Sequence, residues 1–467
     1  MERVEINEGG LLLRPWAAPD AAAVHRACQD PDIQRWTSVP TPYLREHAID
    51  FVTVRAADAW THGHSAPFAV CDAATGELLG SCGLVTIDPR LKSGEIGYWT
   101  APWARGRGVT VRATRAVCRW AFEQLGLRRI IWQAALGNHA SRLVALRAGF
   151  RVEGRLRRAD TRPGEPPDGW IGSLLPADLA APPDAEPRDQ PGHHPGPEPR
   201  QRPGGGAMTG RRTPFAGRGS MLARRAAVFG HDQPVLFATA RPAGTPGQPE
   251  PAGEIRLRAP EPKDVPEIVT ACRDPETVRW VDLPDPYLAS DAEGFVTGYA
   301  PTLWAGGDGA VFTIADHSDR YAGTIALRLS PADPAVADVG VLVAPHARGR
   351  GHCAAALAAV CAWGCTTLGL ARIEWKAQVG NLASRRAAER AGFVIEGVAR
   401  GGLSHRGSRR DAWLGAFVPE AAGVPGAAGV PGAAGVPGAA GVPGAAGVPG
   451  AAGSAPVARG AGETAAG

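Results

Sequence analysis

No C-x-x-C pair occurs in this chain. Its eight cysteines stand singly, at Cys28, Cys71, Cys82, Cys118, Cys272, Cys353, Cys361 and Cys365. That removes the ligand spacing of zinc ribbons and fingers and of dithiol redox centres. Cys361 and Cys365, four apart in an apolar stretch, read as small core residues, and no metal is expected. No run approaches the roughly 18 apolar residues of a membrane span, and the opening MERVEINEGG has no apolar signal region. The expected setting is therefore the cytoplasm, with no membrane partner. One-sided charge is missing too. A net charge of +4 over 467 residues is far from the excess of a dedicated nucleic-acid binder. The nucleoside-triphosphate signature G-x-x-x-x-G-K-[ST] is also absent. What is present is 44% hydrophobic and 21% charged residues, the balance of a globular chain with room for two or three domains.

The chain repeats itself. LLLRPWAAPDAAAVHRACQDPDIQRWTSVPTPYL (11–44) aligns with IRLRAPEPKDVPEIVTACRDPETVRWVDLPDPYL (255–288) at an offset of 244, which keeps Arg14/Arg258, Cys28/Cys272, Trp36/Trp280 and Tyr43/Tyr287 in step. Further on, LGNHASRLVALRAGFRVEGR (136–155) matches VGNLASRRAAERAGFVIEGV (379–398) at 243. This is far longer than a solenoid repeat and marks two homologous domains. Residues 1–180 and 251–420 are expected to be those domains, with 181–250 a linker. Its segment 181–206 holds eight prolines with almost nothing apolar and reads as extended chain. Residues 207–250 contain MLARRAAVFG and PVLFATA, suited to a short helix or strand but expected to be mostly irregular. In 421–467, glycine recurs at every third position from Gly423 to Gly453. That is a collagen-type period with proline at alternate Y positions, read as a flexible tail.

Within each domain strands and helices alternate. Residues 11–14, 68–70, 78–85 and 95–100 read as strands, and 20–28 as a helix capped by Asp20. Val109, Ala113, Val117, Trp120 and Leu125 fall at helical spacing, RRIIWQAAL (128–136) reads as a buried strand, 141–147 as a helix and 149–154 as a returning strand. The fold class is α/β, with the longest helix starting directly after ARGRG (104–108). The same five residues recur at 347–351. Glycines there let successive amides turn inward, the positive end of the helix points at the same place, and the arginines add charge. Such a loop suits a pyrophosphate.

With these motifs in hand, each domain resembles the GNAT superfamily of acetyl-CoA-dependent N-acetyltransferases, in particular the ribosomal-protein-alanine acetyltransferases. The shared marks are LRP/LRAP, IGYW before the loop, R-G-x-G, N-x-x-S and AGF-x-x-EG. The resemblance implies two domains, each with a mixed, mostly antiparallel sheet flanked by helices, and acetyl-CoA as co-substrate. It implies that Arg105, Gly106, Arg107 and Gly108, with Arg348, Gly349, Arg350 and Gly351, hold the coenzyme A pyrophosphate. Asn138 and Ser141, with Asn381 and Ser384, fall where family members touch the pantetheine arm or support catalysis, and they also suit helix capping. The family's Gln or Arg three residues before the first glycine is replaced by Trp103 and His346, and its frequent tyrosine acid by Ala145 and Ala388.

Acetyl transfer from a thioester to an amine needs a base, a donor to the oxyanion and protonation of the thiolate. Glu95 and its counterpart Asp338 are the candidate bases, although strand carboxylates are often merely solvated. Ser141 and Ser384 stand in for the missing acid, and an amide near Thr100–Ala101 is expected to polarise the thioester carbonyl. The acceptor reads as a protein N-terminal amine. A small-molecule amine such as an antibiotic or polyamine, or a non-catalytic acyl-CoA sensor, are the alternatives. Both loops are expected to bind coenzyme A, and the first domain, with Tyr98 and Trp99 where the second has Val341 and Leu342, is expected to be the working enzyme.

Overall fold

Apolar runs broken by turn residues become strands in both halves of the structure, a computed structural model that describes residues 1–159, 168–179, 218–241 and 253–419. The first half contributes β1 (Ile6–Glu8), β2 (Leu11–Arg14), β3 (Ala66–Asp72), β4 (Leu78–Asp88), β5 (Ser93–Thr100), β6 (Arg129–Ala135), β7 (Arg151–Leu156) and β8 (Gly169–Leu174). The second contributes β9 (Leu236–Ala240), β10 (Gly253–Arg258), β11 (Gly309–Ala315), β12 (Tyr321–Leu329), β13 (Val336–Val343), β14 (Arg372–Gln378), β15 (Val394–His405) and β16 (Ser408–Phe417). Among the described residues only the neighbours β5–β6 and β13–β14 run parallel. Each half has its own core. In the first, Leu13, Phe68, Leu84 and Ile130 pack against the buried face of the helix Val109–Glu123, which offers Ala113, Ala116, Val117 and Trp120. In the second, Leu257, Phe312, Leu327 and Ile373 meet Ala356, Leu357, Val360 and Trp363 of the helix His352–Thr366. Both are the longest helices among the described residues, and both begin directly after the repeated loop, as the sequence predicts.

The two sheets are not separate. One sixteen-stranded sheet runs β1-β2-β3-β4-β5-β6-β8-β7-β15-β16-β14-β13-β12-β11-β10-β9, so the second half repeats the first in reverse order across the β7–β15 joint. There Gly154 opposes Gly397. A β-carbon on Gly154 would lie 2.3 Å from the Glu396 carbonyl oxygen, and one on Gly397 would lie 2.2 Å from that of Glu153. Only glycine allows the strands to approach so closely. Around the joint, Arg129 pairs with Glu153 at 2.6 Å and Arg372 with Glu396 at 2.6 Å, all four side chains nearly fully buried. Each carboxylate also reaches across: Glu153 accepts the Arg400 amide at 2.8 Å, and Glu396 the Arg157 amide at 2.9 Å.

The stretch read as mostly irregular linker needs correction within 218–241. Arg218–Phe229 is a helix and Leu236–Ala240 a strand hydrogen-bonded to β10. Phe229 stacks edge-on against Trp304 at 4.7 Å, and Trp304 donates to the His231 carbonyl, so this segment completes the second half's sheet and core. The proline-rich 181–206 and the tail 421–467 lie outside the described residues. Asp20 also differs from expectation. Its carboxylate makes no capping bond to the helix Ala21–Ala27 but reaches back to accept the Ala17 amide and grips Arg14 with two 2.8 Å bonds, an arrangement Asp264 repeats with Arg258. Among the described residues no helix is long and apolar enough to cross a membrane.

Candidate active site

The site begins where neighbouring strands part. β5 and β6 pair only from Ser93–Arg129 to Glu95–Ile131, although β5 continues to Thr100 and β6 to Ala135. Beyond Glu95 the β6-facing edge of β5 is left without a strand partner, opening a cleft along the part of β5 that leads into the loop and the Val109 helix. The second half parts in the same way after Val339–Trp375. Gly106 and Gly108 adopt φ of +76° and +68°, Gly349 and Gly351 +78° and +80°. Gly108 and Gly351 are the N-caps of the two long helices. In the first helix the earliest intrahelical bond is from Arg112 to the Gly108 carbonyl, so the preceding amides point out of the N-terminus as donors for an anion.

The arginines of the loop do not all serve that purpose. Arg105 is tied to Asp30 at 2.5 Å and to Asp32 at 3.4 Å, and Arg348 to Asp274 at 2.6 Å and the Thr277 hydroxyl at 2.9 Å. Asp30 and Asp274 also cap the short helices Pro31–Trp36 and Pro275–Trp280. Their carboxyls are held below the usual range, burial being outweighed by the arginine and the capped amides. These side chains therefore pin the loop, and Arg107 (3.8 Å from Asp72) and Arg350 are left as its exposed cations. The aspartates could have been found in the sequence, since they keep the 244 offset. At the departures from the family motif, Trp103 donates to the Leu78 carbonyl, whereas the Nε2 of His346 is buried without a partner among the described residues.

Asn138 and Asn381 cap the next helices, each accepting from the amide of Ser141 or Ser384 at 3.1 Å. The two serines then diverge. Tyr98, on β5, donates its single hydroxyl proton to the Ser141 carbonyl at 3.0 Å, which leaves the Ser141 hydroxyl to donate to the Tyr98 oxygen at 3.2 Å. Trp132 Nε1 donates to Ser141 Oγ at 3.0 Å. The cleft is thus bridged by Tyr98, Ser141 and Trp132, and burial raises the Tyr98 pKa. Trp132 was not singled out from sequence. A buried indole on a strand beside the N-x-x-S turn was the available signal, since its N–H needs a partner. In the second half Val341 replaces Tyr98, and the bridge is missing. The amide of Ala101, expected to face a thioester, already donates to the Leu79 carbonyl at 2.9 Å.

The two carboxylates differ most. In β4 a bulge at Val85 brings Thr86 opposite Glu95, and Glu95 has no hydrogen-bond or ionic partner among the described residues. Burial alone pushes its pKa up to about 7, where a carboxyl can both lose and accept a proton at neutral pH. Bulges commonly re-aim side chains beside active sites. β12 has no bulge there. Arg328, which stands where the first half has Val85, lies directly across the ladder from Asp338 and binds it through Nε at 3.3 Å and through Nη2. Asp338 is an ion-pair member, not a free base. Among the described residues no group of three or more His, Cys, Asp or Glu could hold a metal ion.

The acetyltransferase (GNAT) domain family matches residues 10–151 and again 254–394, and the chain belongs to that family, as a tandem duplication. Among similar proteins, the Escherichia coli ribosomal-protein-serine acetyltransferase is 36% identical over 84 residues, 18% of this chain and 47% of that one. The uncharacterized N-acetyltransferase YoaA of Bacillus subtilis is 27% identical over 165 residues, 35% of this chain and 93% of that one. The chain spans about half the length of two curated relatives named as ribosomal acetyltransferases. A solved GCN5-related N-acetyltransferase from Brucella melitensis is 27% identical, with a TM-score of 0.34 over 38% of this chain and 81% of its own.

Proposed function

We propose that this chain is an acetyl-CoA-dependent N-acetyltransferase whose first half carries the reaction, with a protein N-terminal amine as acceptor. The observation that carries the reading is Glu95: an unpartnered carboxyl poised near neutrality, at the point where β5 and β6 part, on the strand leading to the ARGRG helix N-terminus. Acetyl-CoA supplies the activated acyl group. The amides of Gly106 to Gly108 and the helix end would receive its pyrophosphate, and Asn138 would face its pantetheine arm. Glu95 takes the proton that the acceptor ammonium must lose. Ser141, held between Trp132 and Tyr98, would turn its hydroxyl proton from the Tyr98 oxygen to the departing thiolate and regain one from water. The names of the ribosomal-protein relatives support the choice of acceptor. The test is thiol release from acetyl-CoA with peptides bearing free N-termini alongside polyamines and aminoglycosides. Turnover with the peptides is expected, and turnover confined to the small amines would overturn the acceptor.

Tyr98 acts through Ser141 and is a positioning residue. Tyr98→Phe keeps the ring in the cleft but removes the hydroxyl, so kcat is expected to fall roughly ten-fold, the rate equivalent of one hydrogen bond of about 1.4 kcal/mol. KM for acetyl-CoA is expected to stay unchanged. A rise in KM with kcat intact would instead make Tyr98 a wall of the coenzyme site.

A further inference from the structure

The two phosphate loops, nearly identical in sequence and backbone angles, do not have the same surroundings. A β-carbon built on Gly108 meets nothing within 4 Å, whereas one on Gly351 would lie 2.2 Å from the Arg241 carbonyl oxygen, 2.5 Å from its carbon and 2.8 Å from its nitrogen. The backbone of Arg241 therefore lies directly against the N-cap of the second long helix. Its carbonyl is held in place by Arg390 Nη2 at 2.7 Å, and Arg390 belongs to the helix Leu382–Arg390 that follows the second cleft.

Strand register explains how it gets there. In the first half Leu13 pairs with Ile6 and Leu11 with Glu8, after which the chain reverses through Gly9 and Gly10, both at positive φ. In the second half Leu257 pairs with Leu236 and Ile255 with Ala238, so Leu236 to Ala238 match Ile6 to Glu8. The ladder does not stop there: Glu254 pairs with Thr239 and Gly253 with Ala240. Where the first half turns back, the second runs on for two more pairs, and the next residue is Arg241. The turn of the first half and the extension of the second lie at the same end of the sheet, where the long helices begin. In the first half that end is marked by Arg112, in the first turn of its helix, which donates to the Gly9 carbonyl.

We propose that the second loop is capped by the chain's own backbone at Arg241 and holds no coenzyme A, so that each chain binds one acetyl-CoA, in the first half. The proposal rests on reading the loops as pyrophosphate cradles. A helix N-terminus presents its amides over a patch only a few atoms wide, and a main-chain carbonyl with a fixed strand behind it leaves no room for two phosphates. The plug is backbone and not side chain, so changing the Arg241 side chain would not open it. With Asp338 neutralised by Arg328 and Tyr98 replaced by Val341, the second half then serves as the partner that completes the sheet.

Calorimetric titration of acetyl-CoA into the full-length chain tests this. The expected stoichiometry is one per chain. Gly106→Glu with Gly108→Glu is expected to abolish binding, the fold being checked by circular dichroism. Replacing residues 239–254 by Gly-Gly gives the second half the tight turn of the first and is expected to raise the stoichiometry from one to two. A stoichiometry of two for the unaltered chain would overturn the proposal while leaving the acetyltransferase reading intact. A folded tight-turn chain that still binds one would remove Arg241 as the cause. No binding by the unaltered chain would overturn the cradle reading itself, and the proposal with it.

Discussion

Replacing Glu95 by Gln is expected to lower kcat/KM by about 100- to 10,000-fold, the range that a positioned general base contributes, while leaving acetyl-CoA affinity unchanged. The amide keeps the size of the side chain and its place on β5 but cannot take a proton from an ammonium group. The pH profile carries the same information. Glu95 must be ionised to act, and burial places its pKa at about 7, so kcat/KM of the unaltered enzyme should climb as pH rises through neutrality. The Glu95→Gln chain should lack that limb. Stability should move the other way. Between pH 4.5, the ordinary value, and about 7 the folded chain keeps a proton that the unfolded chain has released, so stability falls across this window as pH rises and levels off above it. Glu95→Gln removes the penalty, and its melting temperature should match the parent near pH 4.5 and exceed it at pH 8. A variant as active as the parent at pH 8 would exclude Glu95 as the base. Asp338→Asn, which only frees Arg328, should leave turnover near the parental rate.

Much of this architecture could be read from the residues, and the parts that escaped have a common cause. Local patterns announce local structure. The glycines of ARGRG foretell a left-handed turn into a helix, and Val109 to Leu125 show a helical face because a long amphipathic helix has no other way to bury one side. The duplication was legible because whole motifs recur at a fixed offset. By contrast, the continuous sheet depends on Gly154 meeting Gly397, more than 240 positions away, and each sits in an unremarkable E-G pair. Asp338 resembled Glu95 on its own strand, and its capture in an ion pair was decided by Arg328 on the neighbouring strand and by a bulge present in β4 but absent from β12. Ser141 stands out in the N-x-x-S motif, but the tyrosine and tryptophan that hold it come from β5 and β6. Arg105 and Arg348 carry the right charge for a phosphate, yet aspartates about 75 positions earlier claim them. The mostly irregular reading of 218–241 failed for the same reason: LFATA becomes a strand only because β10 offers it an edge.

Removing one carboxylate at the joint should be the most damaging single change to stability. Glu153 is almost wholly buried and fully used. It receives Arg129 Nη1 at 3.1 Å and Nη2 at 2.6 Å, the Ser173 hydroxyl at 2.5 Å and the Arg400 amide at 2.8 Å. Arg129 also donates to the Arg400 carbonyl across the joint, so one ion pair fixes both the first half's own sheet and its docking on the second. Glu153→Ala leaves the Arg129 guanidinium charged, buried and without its counter-ion, which costs about 3–5 kcal/mol when a buried pair is broken on one side. The symmetric change, Glu396→Ala, also removes the main partner of Arg372, but Arg372 keeps Glu374 at 3.1 Å as a counter-ion, so its cost should be smaller. Replacing both members, Arg129→Met with Glu153→Leu, removes the stranded charge and should recover part of the loss, because two apolar groups of similar volume are tolerated where a lone ion is not. The recovery is partial because the Arg400 amide and the Ser173 hydroxyl lose their acceptor. Urea unfolding of the full-length chain provides the measurement, with the single change expected to lower the midpoint at constant slope. A loss below about 1 kcal/mol, the range of an exposed pair, would show that water reaches the joint and that the two halves are not held together by these buried ions.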